Sequence, residues 1–450
     1  MLNICKTDEL FKAWQNGLCP GGQVYVRHNG KLIYNKCFGY ADIERPAPVT
    51  RDTVFHVASV SKQITSMCVL LLDEDGKLNI DDDVRKYIPE LINFEESVSL
   101  RDMMNNVSGI RDQWDLQIYS GTLMVDEISQ EHLNYINSLQ KSLNFAPRSQ
   151  YLYSNANFSM LAEIAAKVSG MSFNDFATER IFKPLDMQDT LFRESTRQII
   201  QNRALSYSQH ETDGEISYKL APVNYSNYGA TSLHTTASDF LKWTTTFTNP
   251  VICNAATLEK LLTSPTLTTG EKITYACGID VSEYKGFKIL QHSGGDGGYR
   301  SHAACLPDEK LDIIIFSNVP NINIYGATQE IIKMLLNIPD EPAVQDEAKP
   351  DEPGKPEPVP FTDDELKAYP GAYYSSEVET FYRVYEKDGK LYIRHRRHND
   401  EEIIKTSDDK LTAHHREIKF TQSDGIAAEL CWYGGRVLEL KFKRIDLSGY

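Results

Sequence analysis

Residues 338–361 constrain this chain more than any other stretch. Seven prolines there interleave with Asp, Glu and Lys, and almost no apolar side chain is available to bury. Proline at this density favours a stiff, extended, solvated spacer over a packed element. The chain is therefore expected to fold as two bodies, residues 1–337 and 362–450, joined by that spacer. With 450 residues, it is long enough for each body to bury a core of its own.

The larger body orders its elements informatively. Residues 23–27 and 31–38 are strand-like and meet at Asn29-Gly30, a strong hairpin signal. From about residue 59 to residue 247 the pattern is that of helices and loops. Strand patterns return at 287–292, 300–306 and 311–317. Strands from both ends are expected to build one antiparallel sheet, flanked by helices and interrupted by a large helical insertion. That is an α+β fold. Beyond the spacer, short strand-like segments at 382–385, 391–394, 411–414, 418–421, 427–432 and 437–442 are separated by turns, among them Asp388-Gly389, Asp424-Gly425 and Gly434-Gly435. This spacing predicts a small all-β, barrel-like domain.

Composition narrows the function classes. A net charge of -16 disfavours nucleic acid and anionic membrane surfaces as partners. No apolar run reaches the roughly 18 residues that a membrane span requires. The eight cysteines are scattered, without a Cys-x-x-Cys pair, which suits a reducing compartment better than a disulfide scaffold. The first residues lack the basic and apolar regions of a secretory leader. The chain as it stands reads as cytoplasmic, and a periplasmic or extracellular protein whose leader had been removed would read the same. Nothing in the pattern fixes the oligomeric state.

The chemistry centres on Ser59-Val60-Ser61-Lys62. Ser-x-x-Lys also occurs at Ser138/Lys141, Ser282/Lys285 and Ser407/Lys410, so the motif alone selects nothing. Context does. The apolar segment 55–58 precedes Ser59, and Ile64, Met67, Cys68 and Leu71 follow at helix spacing. A serine at that junction sits at a helix N-terminus, whose unpaired N–H groups favour a developing negative charge. Lys62 lies one turn on and is the local base candidate, provided that its ammonium is desolvated. His56 is expected to point elsewhere from the preceding strand.

Two further segments could complete such a site. Tyr153-Ser154-Asn155 leads into the helical run Phe158, Leu161, Ile164, Ala165 and Val168, so a phenol and a carboxamide could share a cleft. Tyr-x-Asn recurs at Tyr135/Asn137 and Tyr225/Asn227, and a tyrosine packing where a helix begins is an equally ordinary reading. Gln291-His292-Ser293-Gly294-Gly295 closes a strand and runs into Asp296-Gly297-Gly298. Glycines there admit close approach to an edge strand, although a glycine-rich turn without function is the commoner meaning. The stretch lacks a phosphate-loop pattern, which excludes nucleotide binding. The basic runs 394–398 and 414–415 read as solvated strand ends, since no carboxylate or cysteine completes a ligand set. No metal and no cofactor are expected.

Ser-x-x-Lys, Tyr-x-Asn and His-x-Gly in this order resemble the serine β-lactamase and penicillin-binding-protein superfamily. The likeness is to its class C β-lactamase-like branch, which includes D-aminopeptidases, D,D-carboxypeptidases and esterases. It extends over about residues 15–337, through residues 98–101 and 108–110, Phe145-Ala146-Pro147, residues 183–187 and residues 229–239. The resemblance implies a β-lactamase/transpeptidase-like fold with Ser59 as acylated nucleophile and Lys62 as its base. It implies that Tyr153 relays a proton to the leaving group and that Asn155 orients the substrate amide or Lys62. The amides of Ser59 and Gly295 would hold an oxyanion, each donor worth roughly 2.7–4 kcal/mol, and His292, Ser293 and Gly294 would contact substrate. Many β-lactamases carry lysine where this chain has His292, and a histidine is a weaker carboxylate anchor. Arg300 could supply a cation instead, but an ordinary solvent-facing strand residue is the simpler reading. The C-terminal part resembles barrel modules appended to some relatives. The expected function is that of a serine hydrolase acting through an acyl-enzyme on a small peptide or amide, D-residues among the candidates, or on an ester. The rivals are a true β-lactamase and a catalytically idle penicillin-binding or scaffold protein. Intact Ser59, Lys62 and Tyr153 argue against the last.

Overall fold

The structure, a computed structural model, describes residues 2–123, 125–339, 357–407 and 410–446. Most of the expected spacer therefore lies outside the described residues. The hairpin at Asn29-Gly30 forms: β1 (Gly22–His28) pairs antiparallel with β2 (Lys31–Phe38). Both turn residues have positive φ, 52° at Asn29 and 74° at Gly30, the mirror-image turn that suits the twist of the flanking strands. The chain then makes its long excursion through α1 (Lys62–Glu74), α2 (Gln113–Ser120) and α3 (Asn155–Ser169). It returns as β3 (Tyr275–Ala276), β4 (Ile279–Tyr284), β5 (Phe287–Asp296), β6 (Tyr299–Leu306) and β7 (Leu311–Ser317), followed by α4 (Ile324–Leu336). The seven strands form one antiparallel sheet in the order β3-β4-β5-β6-β7-β1-β2.

Alternation along each strand sorts the side chains onto two faces. Val24, Val26, Ile313 and Ile315 pack with Phe11, Trp14, and Ile331 and Leu335 of α4. Tyr25, Ile314 and Phe316 face the other way, into the core built by Ile64 and Met67 of α1 and Phe158 and Leu161 of α3. With both faces covered, β7 is buried at every residue. The insertion is not purely helical. It also holds a hairpin, Tyr207–Thr212 with Glu215–Leu220, and a small sheet of Phe55–His56, Leu191–Phe192 and Leu233–Thr235. Strands of two or three residues are too short to leave a period in the sequence.

The C-terminal part is a nine-stranded antiparallel sheet rather than the six strands expected. Gly371–Ser375 pairs with both Thr380–Lys387 and the last strand, closing the ends of the sequence onto each other. The two edge strands, Glu401–Glu402 and Ile404–Ser407, are consecutive in the chain, so the sheet curls almost into a barrel. Its last hairpin joins β8 (Ile426–Gly434) to β9 (Val437–Ile445). The interior, which includes Tyr373, Tyr382, Ile393, Leu430, Trp432 and Phe442, continues directly into Leu116 and Tyr119 of α2 and into Ile136. At its rim lie the ion pairs Arg111–Glu377 and Arg397–Asp126, both 2.7 Å. One expectation fails here. His395 is not solvated: it is 2% exposed, bonded to Thr380 Oγ1 at 2.8 Å, and packed where an added Cβ on Gly121 would sit 1.9 Å away. Tyr382, its ring centroid 5.0 Å away, and Gly121 at the end of α2 pack against a residue that local charge places outside.

Candidate active site

The turn that carries Ser59 is strained. A single 3-10 turn, Ala58–Ser61, leads into α1, and Ala58 holds φ at +47°, a left-handed conformation that costs a β-carbon residue on the order of 1–3 kcal/mol. Neighbouring elements hold the turn in place. Ser61 Oγ donates to Ala58 O at 2.5 Å and accepts from Leu233 N at 3.2 Å. Ser301 Oγ on β6 donates to Val57 O at 2.7 Å. Ser61, between the two motif residues, is thus a structural clamp. β5 passes so close that a Cβ on Gly294 would lie 2.5 Å from Val57 O and 3.0 Å from Ser59 N. Only glycine fits. The strand also runs further than the sequence pattern suggests, through Asp296, so Gly294 and Gly295 are strand residues paired with Ser301 and Arg300.

Lys62 is completely buried. Its Nζ donates to Asn155 Oδ1 at 2.8 Å and to Ala230 O at 2.7 Å, and it lies 3.2 Å from Ser59 Oγ. A neutral amine has two N–H donors and one lone pair. The two carbonyl oxygens take the donors, which leaves the lone pair for the serine proton. Burial, opposed by Asp112 and aided by Arg436, lowers the lysine pKa to about 7. Tyr153 is half-buried, with Lys62 Nζ 4.7 Å from its ring centroid. Burial holds its phenol well above the ordinary value, while the Ser59 hydroxyl and Arg436 pull the other way. At neutral pH the pair is therefore an amine near its midpoint beside a neutral phenol.

Two residues here escape sequence reasoning. Asp112 is fully buried at the N-cap of α2, where Oδ1 accepts from Trp114 N at 2.9 Å. Its Oδ2 accepts from both the backbone N and the side-chain Nδ2 of Asn155, at 2.7 and 2.8 Å. That pair of bonds fixes which way the Asn155 amide faces and so aims Oδ1 at Lys62. Asp before an amphipathic helix is a legible N-cap signal, but the reach to Asn155 is not. The second residue is Arg436, in the turn between β8 and β9. Its guanidinium carbon lies 5.0 Å from the Tyr153 ring centroid, and Nη1 is 3.4 Å from Asp112 Oδ2.

The remaining expected residues gather around the same point. Ser59, Tyr153, Asn155 and Gly295 line a cavity of about 230 Å³, together with Trp114, Ile118, Leu123, Ile128, Tyr225, Asp296 and Arg436. Tyr153 also lines a second, more open depression with His292, Ser293, Tyr151 and Tyr275. His292 is buried, its Nδ1 2.6 Å from Ser293 O and its Nε2 3.1 Å from Tyr275 Oη. Burial, then the charge of Lys62, lowers its pKa to about 4, so it carries no charge at neutral pH. Arg300 is half-buried, and its Nη1 donates to Gly297 O and Tyr299 O of its own hairpin, at 3.1 and 2.7 Å. His56 Nε2 bonds Asp296 Oδ2 at 2.8 Å, and Asp296 lines the cavity that holds Ser59.

Residues 8–329 match the Beta-lactamase family. A D-aminopeptidase of Gluconobacter oxydans is 28% identical over 326 residues, 72% of this chain and 60% of that protein. The chain thus spans less than two thirds of the length of that relative. The octameric penicillin-binding protein homologue from Pyrococcus abyssi superposes with a TM-score of 0.65 at 20% identity, over 98% of this chain and 100% of that one. A D-stereospecific amidohydrolase from Streptomyces sp. gives a TM-score of 0.60 at 18% identity, over 74% and 98%. These two likenesses are of fold. The match over residues 8–329, on a sheet and insertion that bring Ser59, Lys62, Tyr153 and Asn155 together, makes this chain a member of the Beta-lactamase family.

Proposed function

We propose that the protein is a serine hydrolase that works through an acyl-enzyme on Ser59, within a catalytic unit of residues 1–337. One observation carries the reading: Lys62 Nζ spends both its amine donors on Asn155 Oδ1 and Ala230 O while facing Ser59 Oγ at 3.2 Å. In this mechanism Ser59 Oγ attacks the substrate carbonyl carbon as its proton passes to Lys62. The amides of Ser59 and Gly295 hold the oxyanion. Tyr153, kept protonated by burial, gives its proton to the departing nitrogen or oxygen and is reprotonated through Lys62. Water then cleaves the ester on Ser59 by the reverse route. Tyr153 lines both depressions, which suits a proton carrier standing between the acyl half and the leaving half of a substrate.

The substrate class that fits is a small amide or peptide, a D-residue on the acyl side being favoured by the relatives' names, with a carboxylic ester next. The apolar wall of Trp114, Ile118, Leu123 and Ile128 would receive its side chain. Neutral His292 offers no cation to a leaving-group carboxylate, which argues against penicillins as the preferred substrate. Labelling with a fluorophosphonate and with a fluorescent penicillin, followed by peptide mass spectrometry, tests the chemistry. An adduct on Ser59 that disappears in Ser59→Ala is expected. An adduct on another serine, or none with either probe, refutes it. Turnover of a D-alanine amide, a p-nitrophenyl ester and a chromogenic cephalosporin then ranks the substrates, with the cephalosporin expected last.

A further inference from the structure

The turn between β8 and β9 reaches into the site from the C-terminal sheet and is fastened at its base. Gly434 and Gly435 adopt φ of 117° and 68°, which turns the chain so that Arg436 faces the larger body. Arg436 N donates to Asp115 Oδ2 at 2.5 Å, and its carbonyl accepts from Asn144 Nδ2 at 2.9 Å and from Asp112 N at 3.3 Å. Leu438 N donates to Asn144 Oδ1 at 2.8 Å. Arg416 closes the arrangement, reaching Asp115 Oδ1 at 3.1 Å, Tyr119 Oη at 2.8 Å and Gly434 O at 3.1 Å. A turn with this many cross-body bonds is built to hold one position. What it holds is a guanidinium in the wall of the cavity that contains Ser59.

We propose that the C-terminal sheet completes this active site by lending it Arg436, a positioning residue for Lys62 and Tyr153. The inference deepens the hydrolase reading and rests on it for the role of Lys62. The argument is electrostatic and geometric. Five groups face the buried amine from the elements around it: Asp112 from the start of α2, Asp296 and His292 from β5, Tyr153 before α3, and Arg436. His292 is neutral, so the two carboxylates favour the ammonium, against burial, which is the larger effect and favours the neutral amine. Arg436 opposes them, at 3.4 Å from Asp112 and above the phenol face. A guanidinium stays charged at every working pH, so its influence is constant. Stacked on Tyr153, it also fixes the ring whose hydroxyl must reach the leaving group.

The test uses the full chain with lysines labelled at Cε with carbon-13, the Lys62 resonance being assigned by its loss in Lys62→Arg. In Arg436→Gln the Lys62 titration is expected to move up by about half a pH unit to one unit. The acid limb of kcat/KM for the p-nitrophenyl ester should move with it, a loss of about three- to tenfold below the limb that is recovered at high pH. Arg436→Lys, which keeps the charge, should restore most of the profile. Arg397→Gln breaks the rim ion pair to Asp126 and should change neither titration nor limb, which separates the charge from general loosening of the interface. A Lys62 titration that is the same in Arg436→Gln as in the unaltered protein overturns the proposal, as does an equal shift in Arg397→Gln. A shift in Arg436→Gln without any fluorophosphonate adduct on Ser59 upholds Arg436's action on Lys62 and refutes the hydrolase reading alone.

Discussion

Lys62→Met should uncouple stability from pH in a way that only a buried amine can produce. The amine titrates at 10.5 when exposed and at about 7 in the fold. A group whose folded pKa is depressed in this direction binds more protons in the unfolded chain, so stability rises with pH between the two values. At about 1.4 kcal/mol per pH unit, Lys62 at pH 7 costs the fold about 4 kcal/mol relative to its neutral form. The cost falls to about 2 kcal/mol at pH 9 and vanishes above the ordinary lysine value. Below about pH 7 both states are protonated and the contribution is flat. Methionine conserves length and removes the charge, but it strands Asn155 Oδ1 and Ala230 O at about 1–3 kcal/mol each. The stability of the variant at any single pH therefore decides nothing. The difference between the two proteins does. Urea unfolding followed by tryptophan fluorescence at several pH values should show the unaltered protein gaining about 2 kcal/mol on Lys62→Met between pH 7 and pH 9. Parallel stability curves across that window would refute the argument that burial holds Lys62 neutral.

Asp112→Asn should move the acid limb of kcat/KM to lower pH, opposite in sign to Arg436→Gln, because Asp112 favours the charged lysine. It should also cost on the order of 10²-fold in kcat/KM by freeing the Asn155 amide to turn, and an unmoved limb in a pH–rate profile would count against the assignment. Gly294→Ala places a Cβ 2.4 Å from Ser301 Oγ and 2.5 Å from Val57 O, whereas at Gly295 the nearest atom is the flexible Arg300 side chain at 3.4 Å. Fluorophosphonate labelling of Ser59 should therefore fall far more in Gly294→Ala than in Gly295→Ala, and equal losses would refute the close approach of β5. His292 is held near 4 by burial, so its imidazole proton resonances should stay constant from about pH 5.5 upward. A midpoint near the ordinary value of about 6.5 would show an exposed ring instead.

The first hairpin of the larger sheet was legible because Asn29-Gly30 separates two strand-like runs, whereas Val24, Tyr25 and Val26 are all apolar and only packing shows which face each occupies. The closeness of Lys62 to Ser59 was legible from local geometry, since a residue on the first turn of a helix lies beside the one a turn further on. Tyr153 and His292 were legible only as members of an ordered set of motifs, because the distances between α1, α3 and β5 are set by packing. The limits have the same physical origin. Tyr275–Ala276 and Glu401–Glu402 are too short to carry a period. The run at 394–398 conceals the buried His395, which packs against Tyr382 and against Gly121 at the end of α2. Arg436 is the extreme case: an arginine after Gly-Gly in an exposed hairpin reads as a surface turn, and only docking against Asp112, Asp115 and Asn144 turns it into part of a cavity wall.

The charges around Lys62 make sense only when taken over the whole proton cycle. With the amine neutral, Asp112 and Arg436 form a buried-to-exposed pair of zero net charge, and the phenol beside them is uncharged. In the proposed mechanism the proton of the attacking Ser59 would reside on Lys62 while the oxyanion carried the compensating charge. At that moment Asp112 and Asp296, which burial overrides at rest, stabilise the new ammonium. Arg436 would limit how far they do so, and in the proposed relay that would keep the proton available to leave again through Tyr153. Without Arg436 the Lys62 titration would rise by the half to one unit expected of Arg436→Gln, so a larger share of the amine would rest protonated at neutral pH and fewer molecules could accept the serine proton. If Asp112 were absent, the ammonium would be formed at greater cost and Asn155 would lose its aim. Opposed shifts of the acid limb in Arg436→Gln and Asp112→Asn, with slower acylation in both, are what this balance requires. Shifts of the same sign would mean that the two residues act on the fold around Lys62 rather than on its proton.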